Sequence, residues 1–134
     1  MDAIANIVSF APPPSGPLTV KYSSKQQAQW LYMQPDERPC FTPQLLKELR
    51  EAQNEAINEA KDCIVLSSQV NGVFSLGGDL RHIVKLVRRQ DRDGLDEYMK
   101  ACIELIEPMA YNDLPYRIAL VQGTAQGRDW FLPI

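Results

Sequence analysis

A single histidine, His82, and three scattered cysteines, Cys40, Cys63 and Cys102, leave this 134-residue chain little material for several common chemistries. One histidine cannot build a His-based metal site, and a Ser-His-Asp arrangement would have to be centred on it. The cysteines are odd in number and widely spaced, which fits neither a zinc site nor a disulfide framework and implies reduced thiols in the cytoplasm. Positive charge is not in excess: the formal net charge is -3, which argues against a nucleic-acid-binding surface. No apolar run approaches the roughly 20 residues that cross a bilayer. The N-terminus lacks the basic region and apolar core of a secretory signal. Three spaced glycines after a strand, the mark of a dinucleotide site, are missing, and so is a P-loop lysine.

What is present suits one α/β domain with 45% hydrophobic and 23% charged residues. Residues 1–17 read as a flexible proline-rich leader, because Pro12-Pro13-Pro14-Ser15-Gly16-Pro17 supplies few ladder donors. Leu18, Val20 and Tyr22 alternate with polar residues, as do Ala28, Trp30 and Tyr32, so two strands in a hairpin are expected. Residues 35–39 form a loop. Thr42-Pro43 reads as an N-cap followed by proline in the first helical turn. Leu45, Leu49, Ala52, Ala56 and Ala60 then give the apolar stripe of a helix about five turns long. Glu51 and Glu55 belong to its solvated face.

The apolar run Cys63-Ile64-Val65-Leu66 opens a strand over residues 63–70. Then comes Ser75-Leu76-Gly77-Gly78-Asp79-Leu80, where two glycines precede an acid and a helical pattern, Leu80, Ile83, Val84 and Val87. Asp79 can cap that helix. Backbone N–H groups at such a junction can also hold an oxyanion, helped by the helix dipole. The charged run from Lys85 to Asp93 reads as a solvated helix end, with phosphate binding as the alternative. A further helix from about Leu95 carries Leu95, Tyr98, Met99, Cys102, Ile103 and Ile106 as a core stripe, and Pro108 helps to end it. Residues 117–122 form a last strand, followed by Gly123-Thr124-Ala125-Gln126-Gly127. The expected order is β-β-α-β-α-α-β.

The two strand–loop units together resemble the two oxyanion-hole segments of the crotonase (enoyl-CoA hydratase/isomerase) superfamily: Phe74-Ser75-Leu76-Gly77-Gly78-Asp79-Leu80 the first, Ala119-Leu120-Val121-Gln122-Gly123-Thr124-Ala125-Gln126-Gly127 the second. With Arg38-Pro39-Cys40-Phe41-Thr42-Pro43, the pattern is most similar to the diffusible-signal-factor synthases. These bacterial enzymes make cis-2-unsaturated fatty-acid signals from 3-hydroxyacyl carrier-protein thioesters. The resemblance implies the N-terminal portion of a crotonase-like ββα spiral over residues 18–127, truncated, with an atypical tail at 128–134. It implies an oxyanion hole formed by the amides of Gly78 and Arg128, with Leu76, Gly77 and Gly127 beside the thioester. Losing one such donor costs about 3–4 kcal/mol. The implied ligand is an acyl-CoA or acyl-carrier-protein thioester, and no other cofactor is called for.

The tail departs from the family. Arg128 and Asp129 stand where glycines are expected, and Phe131 stands where the first catalytic glutamate would be. The second glutamate is absent, leaving Asp129 as the nearest substitute acid. Two functions are therefore expected: a weak or inactive hydratase/dehydratase relative, or a non-catalytic module that binds acyl thioesters or associates with itself. A homo-oligomer with its interface on residues 117–134 is expected, since ending the sheet there leaves a strand edge open. Neither nucleic acid nor membrane is expected as a partner.

Overall fold

A computed structural model describes residues 16–25, 27–34, 38–111 and 114–126. Residues 1–15 of the expected 1–17 leader, residues 35–37 of the expected 35–39 loop, and Gly127, Arg128, Asp129 and Phe131 lie outside the described residues.

Strands β1 (Leu18–Ser23) and β2 (Ala28–Met33) pair antiparallel. Helix α1 (Pro43–Asn58) then carries the chain back so that β3 (Cys63–Ser68) lies parallel to β2. A short strand β4 (Val73–Ser75) leads into helices α2 (Leu80–Arg88) and α3 (Arg92–Ala110). The chain returns through β5 (Tyr116–Ala119), parallel to β3, and ends its described part at β6 (Thr124–Ala125). The main sheet has the order β1-β2-β3-β5, and β4 and β6 form a separate two-stranded parallel sheet. The expected α/β order is therefore present, with β4 and β6 added. Both are too short to leave a periodic signal.

The core lies between the sheet and the helices. Leu31 and Met33 of β2, Ile64 and Leu66 of β3, and Leu45, Leu46, Leu49 and Ala56 of α1 form one buried cluster. Tyr98, Cys102 and Leu105 of α3 and Leu86 of α2 join it. Arg117 of β5 fastens the end of α3 by donating to the Met109 and Ala110 carbonyls at 3.3 and 2.6 Å.

Both helix caps stand where expected. Thr42 Oγ1 accepts from Leu45 N at 3.1 Å. Asp79 Oδ1 accepts from His82 N at 3.1 Å. Several boundaries and faces differ. Helix α1 stops at Asn58, because Ala60 turns left-handed (φ +52°) and sends its N–H to Ile57 O while Lys61 N reaches Ala56 O. That pair of bonds closes the helix, so Ala60 is not part of its stripe. Strand β3 stops at Ser68, whose Oγ accepts from Val70 N and donates to Val73 O, turning the chain. Helix α3 starts at Arg92, capped by Asp91 on Gly94 N at 2.9 Å, and continues past Pro108 to Ala110. So near the C-terminus, proline forfeits one hydrogen bond without ending the helix.

The apolar stripes are also turned. On β2 the face of Leu31 and Met33 enters the core, while Trp30 and Tyr32 are only half buried. On α2 it is Leu86 that is buried; Leu80 is 69% and Val87 58% exposed. On α3 Tyr98 and Cys102 are core residues as expected, but Met99 and Ile103 face outward.

Candidate functional site

The site grows from the exit of β4. Ser75 Oγ accepts from Gly77 N at 3.0 Å, which bends the chain at once after the strand. Gly77 has φ +87°, open to glycine at little cost. The segment before α1 runs alongside: Leu76 N donates to Pro39 O at 2.6 Å, and Phe41 N donates to Gly77 O at 2.8 Å. Phe41 and Gly78 form a single parallel bridge. Gly77 is buried with both backbone groups engaged, and Leu76 projects to the surface.

Tyr98 secures the next residue. Its hydroxyl accepts from Asp79 N at 2.8 Å and donates to Phe41 O at 2.6 Å, tying α3, the head of α2 and the approach to α1 at one oxygen. Burial pushes the Tyr98 phenol up from its ordinary pKa, so it stays neutral and serves as both donor and acceptor. The Asp79 carboxylate caps α2 and pairs with Arg38. Asp79 is thus occupied as a structural acid. Burial, with Asp79 as a smaller cause, also raises the pKa of the neighbouring Cys40 thiol, leaving it an inert thiol.

Between these fixed residues the Gly78 N–H makes no hydrogen bond to any described residue. Among the described residues a Cβ on Gly78 would meet only the Tyr98 hydroxyl, at 3.8 Å. Gly78 sits one residue before the Asp79 cap, at the positive end of the α2 dipole.

The second glycine-rich segment comes alongside through β6. Thr124 N donates to Gly72 O at 2.9 Å and Gln126 N to Ser75 O at 2.8 Å. Gly123 makes the approach possible: it has φ +87°, and a Cβ there would lie 2.2 Å from Gly72 O. Ser75 pairs with Ala125, so the two strands deliver their following residues side by side. Gln126 is thereby brought against the end of β4, where the Leu76-Gly77-Gly78 turn begins. The partners expected from the second segment, Gly127 and Arg128, lie outside the described residues.

Comparison with solved structures decides the fold. DspI of Pseudomonas aeruginosa matches with a TM-score of 0.70 and 18% identity, over 88% of this chain and 42% of that one. An enoyl-CoA hydratase from Bacillus halodurans matches at 0.69 and 17%, over 77% and 41%. A Legionella pneumophila protein described as an enoyl-CoA hydratase/isomerase (crotonase) matches at 0.69 and 25%, over 82% and 41%. The chain has part of the crotonase fold. It spans about two fifths of the length of these crotonase-fold structures. No family sequence model matches the chain, and no curated protein sequence does.

Two residues of this junction carry no sign in the local sequence that they belong to it. Tyr98 reads from the sequence as one more core residue, although a tyrosine where phenylalanine would fill the space is itself a sign that the hydroxyl has a partner. Arg38 falls in the motif before α1, but its ion pair with Asp79 spans segments far apart in the chain. Among the described residues no helix is long and apolar enough to cross a membrane.

Proposed function

We propose that the Gly78 N–H receives the oxyanion of an acyl thioester, as the first half of an oxyanion hole in an enoyl-CoA hydratase/isomerase-type protein. The observation that carries this reading is the Gly78 N–H at the head of α2, which no described residue engages, with β6 paired to the strand β4 that leads into it. By the resemblance to the family's second segment, the Arg128 amide is the second donor. Leu76, Gly77 and Gly127 flank the thioester. The substrate is an acyl-CoA or acyl-carrier-protein thioester, and no further cofactor is needed. The motifs favour the diffusible-signal-factor synthases, whose reaction would be dehydration of a 3-hydroxyacyl thioester with release of the unsaturated acid. Free thiols at Cys40, Cys63 and Cys102 suit a cytoplasmic setting.

Phe131, at the position of the first glutamate, favours a second reading in which the chain binds thioesters without turning them over. A positioned acid or base contributes about 10²–10⁴-fold, so its loss leaves slow turnover or none. The exposed Tyr116, Ile118, Leu120 and Val121 around β5 favour self-association at that edge. Titrating a 3-hydroxyacyl-CoA or a trans-2-enoyl-CoA into isotope-labelled protein, followed by NMR, tests the first reading directly. Saturable binding with a downfield shift of the Gly78 amide proton supports it; binding that leaves this amide unchanged refutes it. Turnover of either thioester that Asp129→Asn abolishes would make Asp129 the acid and discard the binding-only reading.

A further inference from the structure

The turn that joins β3 to β4 holds the chain's one Asn-Gly pair, Asn71-Gly72; Asn6, Asn54, Asn58 and Asn112 precede larger residues. Both residues of the pair are exposed. Glycine has no Cβ to shield the amide nitrogen that follows the asparagine. The Gly72 N–H makes no hydrogen bond to any described residue, and nothing lies within 4 Å of the place a Gly72 Cβ would take. The φ of Gly72, +76°, is that of the third residue of a type II turn, which Val73 N closes on Val70 O at a long 3.3 Å. The other pair open to such chemistry, Asp93-Gly94, lies in α3 with Gly94 N bonded to Asp91 Oδ1 at 2.9 Å. Gly72 is also where β6 is seated. Its carbonyl accepts from Thr124 N at 2.9 Å, and a Cβ on Gly123 would lie 2.2 Å from the same oxygen, so the two segments meet without slack.

We propose that Asn71-Gly72 is a site of spontaneous deamidation, and that the isoaspartate it forms releases β6 from β4. Gly72 N attacks Asn71 Cγ; a new C–N bond forms, and the side-chain nitrogen leaves as ammonia with the amide proton. The product is a succinimide ring, for which the open space beside Gly72 leaves room. Attack needs the Asn71-Gly72 peptide to rotate, which the 3.3 Å closing bond resists little. Water then opens the ring. Addition at the main-chain carbonyl leaves isoaspartate, in which the backbone runs through Cβ and Cγ and is one carbon longer. No oxidant, metal or enzyme is required, because asparagine is thermally labile. The extra carbon shifts Gly72 against Gly123, where there is no slack, so the bonds from the Thr124 and Gln126 N–H groups are lost. Residue 71 also gains a carboxylate and its negative charge. None of these steps depends on thioester binding at Gly78.

The test is peptide mass mapping of the folded protein before and after storage in warm neutral buffer, with protein isoaspartate methyltransferase and labelled S-adenosylmethionine to count isoaspartate. Residue 71 is expected to gain the mass of an acid over an amide ahead of the other asparagines, and to be the residue methylated. Hydrogen exchange at Thr124 and Gln126 in the aged protein is expected to quicken roughly tenfold. Asn71→Gln, whose longer side chain closes the ring poorly, is expected to keep both amides protected through the same storage. Circular dichroism checks that this variant is folded, and the mapping of the wild type does not depend on it. Deamidation at residue 71 no faster than at the other asparagines overturns the proposal. So does a folded protein that stays intact while the urea-unfolded chain deamidates at residue 71, since the turn would then be protective. Isoaspartate formed with exchange at Thr124 and Gln126 unchanged overturns the release of β6.

Discussion

Replacing Tyr98 by phenylalanine removes one oxygen and nothing else, at the point where three segments meet. The ring keeps its place in the core beside Cys102 and Leu105, so no cavity of consequence is made. The Asp79 N–H loses its acceptor and is left buried without one, which costs about 1–3 kcal/mol. The Phe41 carbonyl loses a donor at 2.6 Å, worth about 0.5–1.5 kcal/mol. The expected loss is therefore about 2–4 kcal/mol, a large share of the 5–15 kcal/mol typical of a domain. For a chain of this length that is a fall in Tm of roughly 7–14 °C. Urea unfolding gives the free energy, and hydrogen exchange at the Asp79 amide reports the local bond. The pH dependence has a definite sign. The folded pKa of Tyr98 is raised, so its contribution is complete below the ordinary tyrosine value near 10 and declines as the pH rises above it. The wild type should lose stability there more steeply than the variant. A change below about 0.5 kcal/mol, with Asp79 exchange unaltered, would refute the role given to the hydroxyl.

Gly123→Ala should force β6 away from β4, since its Cβ would overlap Gly72 O; a cost above about 1 kcal/mol is expected from the positive φ alone. Faster exchange at the Thr124 and Gln126 amides measures it, and unchanged exchange counts against the pairing. Ala60→Gly should stabilise the protein by roughly 0.5–1 kcal/mol, the relief of a left-handed alanine less the entropy of a glycine, read from thermal unfolding. Gln53 is wholly buried on α1 with neither amide atom hydrogen-bonded among the described residues. Gln53→Met should therefore raise stability by about 1–3 kcal/mol in urea unfolding. A loss instead would mean that the amide has a bound partner such as a buried water.

The sequence by itself determined what depends on neighbours along the chain. Thr42-Pro43 and Asp79 announce their helices because a cap acts within a single turn, and Ser75-Leu76-Gly77-Gly78 announces a sharp exit from a strand. The parallel placement of β2 and β3 follows from the helix between them. Only the tertiary structure decided which side of each element is inside. The apolar residues of α2 span nearly half of its circumference and those of α3 more than half, so period alone does not say which part is buried; contact with α1 selects Tyr98, Cys102 and Leu105 of α3, and contact with α3 selects Leu86 of α2. The joining of the two glycine-rich segments likewise depends on contacts far apart in sequence: Gly123 fitting onto Gly72, and Tyr98 spanning Phe41 and Asp79. Gly78 illustrates the division. Its position after a strand and before a capped helix is written in the local sequence. That no described residue engages its N–H follows from Ser75, Phe41 and Tyr98 satisfying the groups on either side of it.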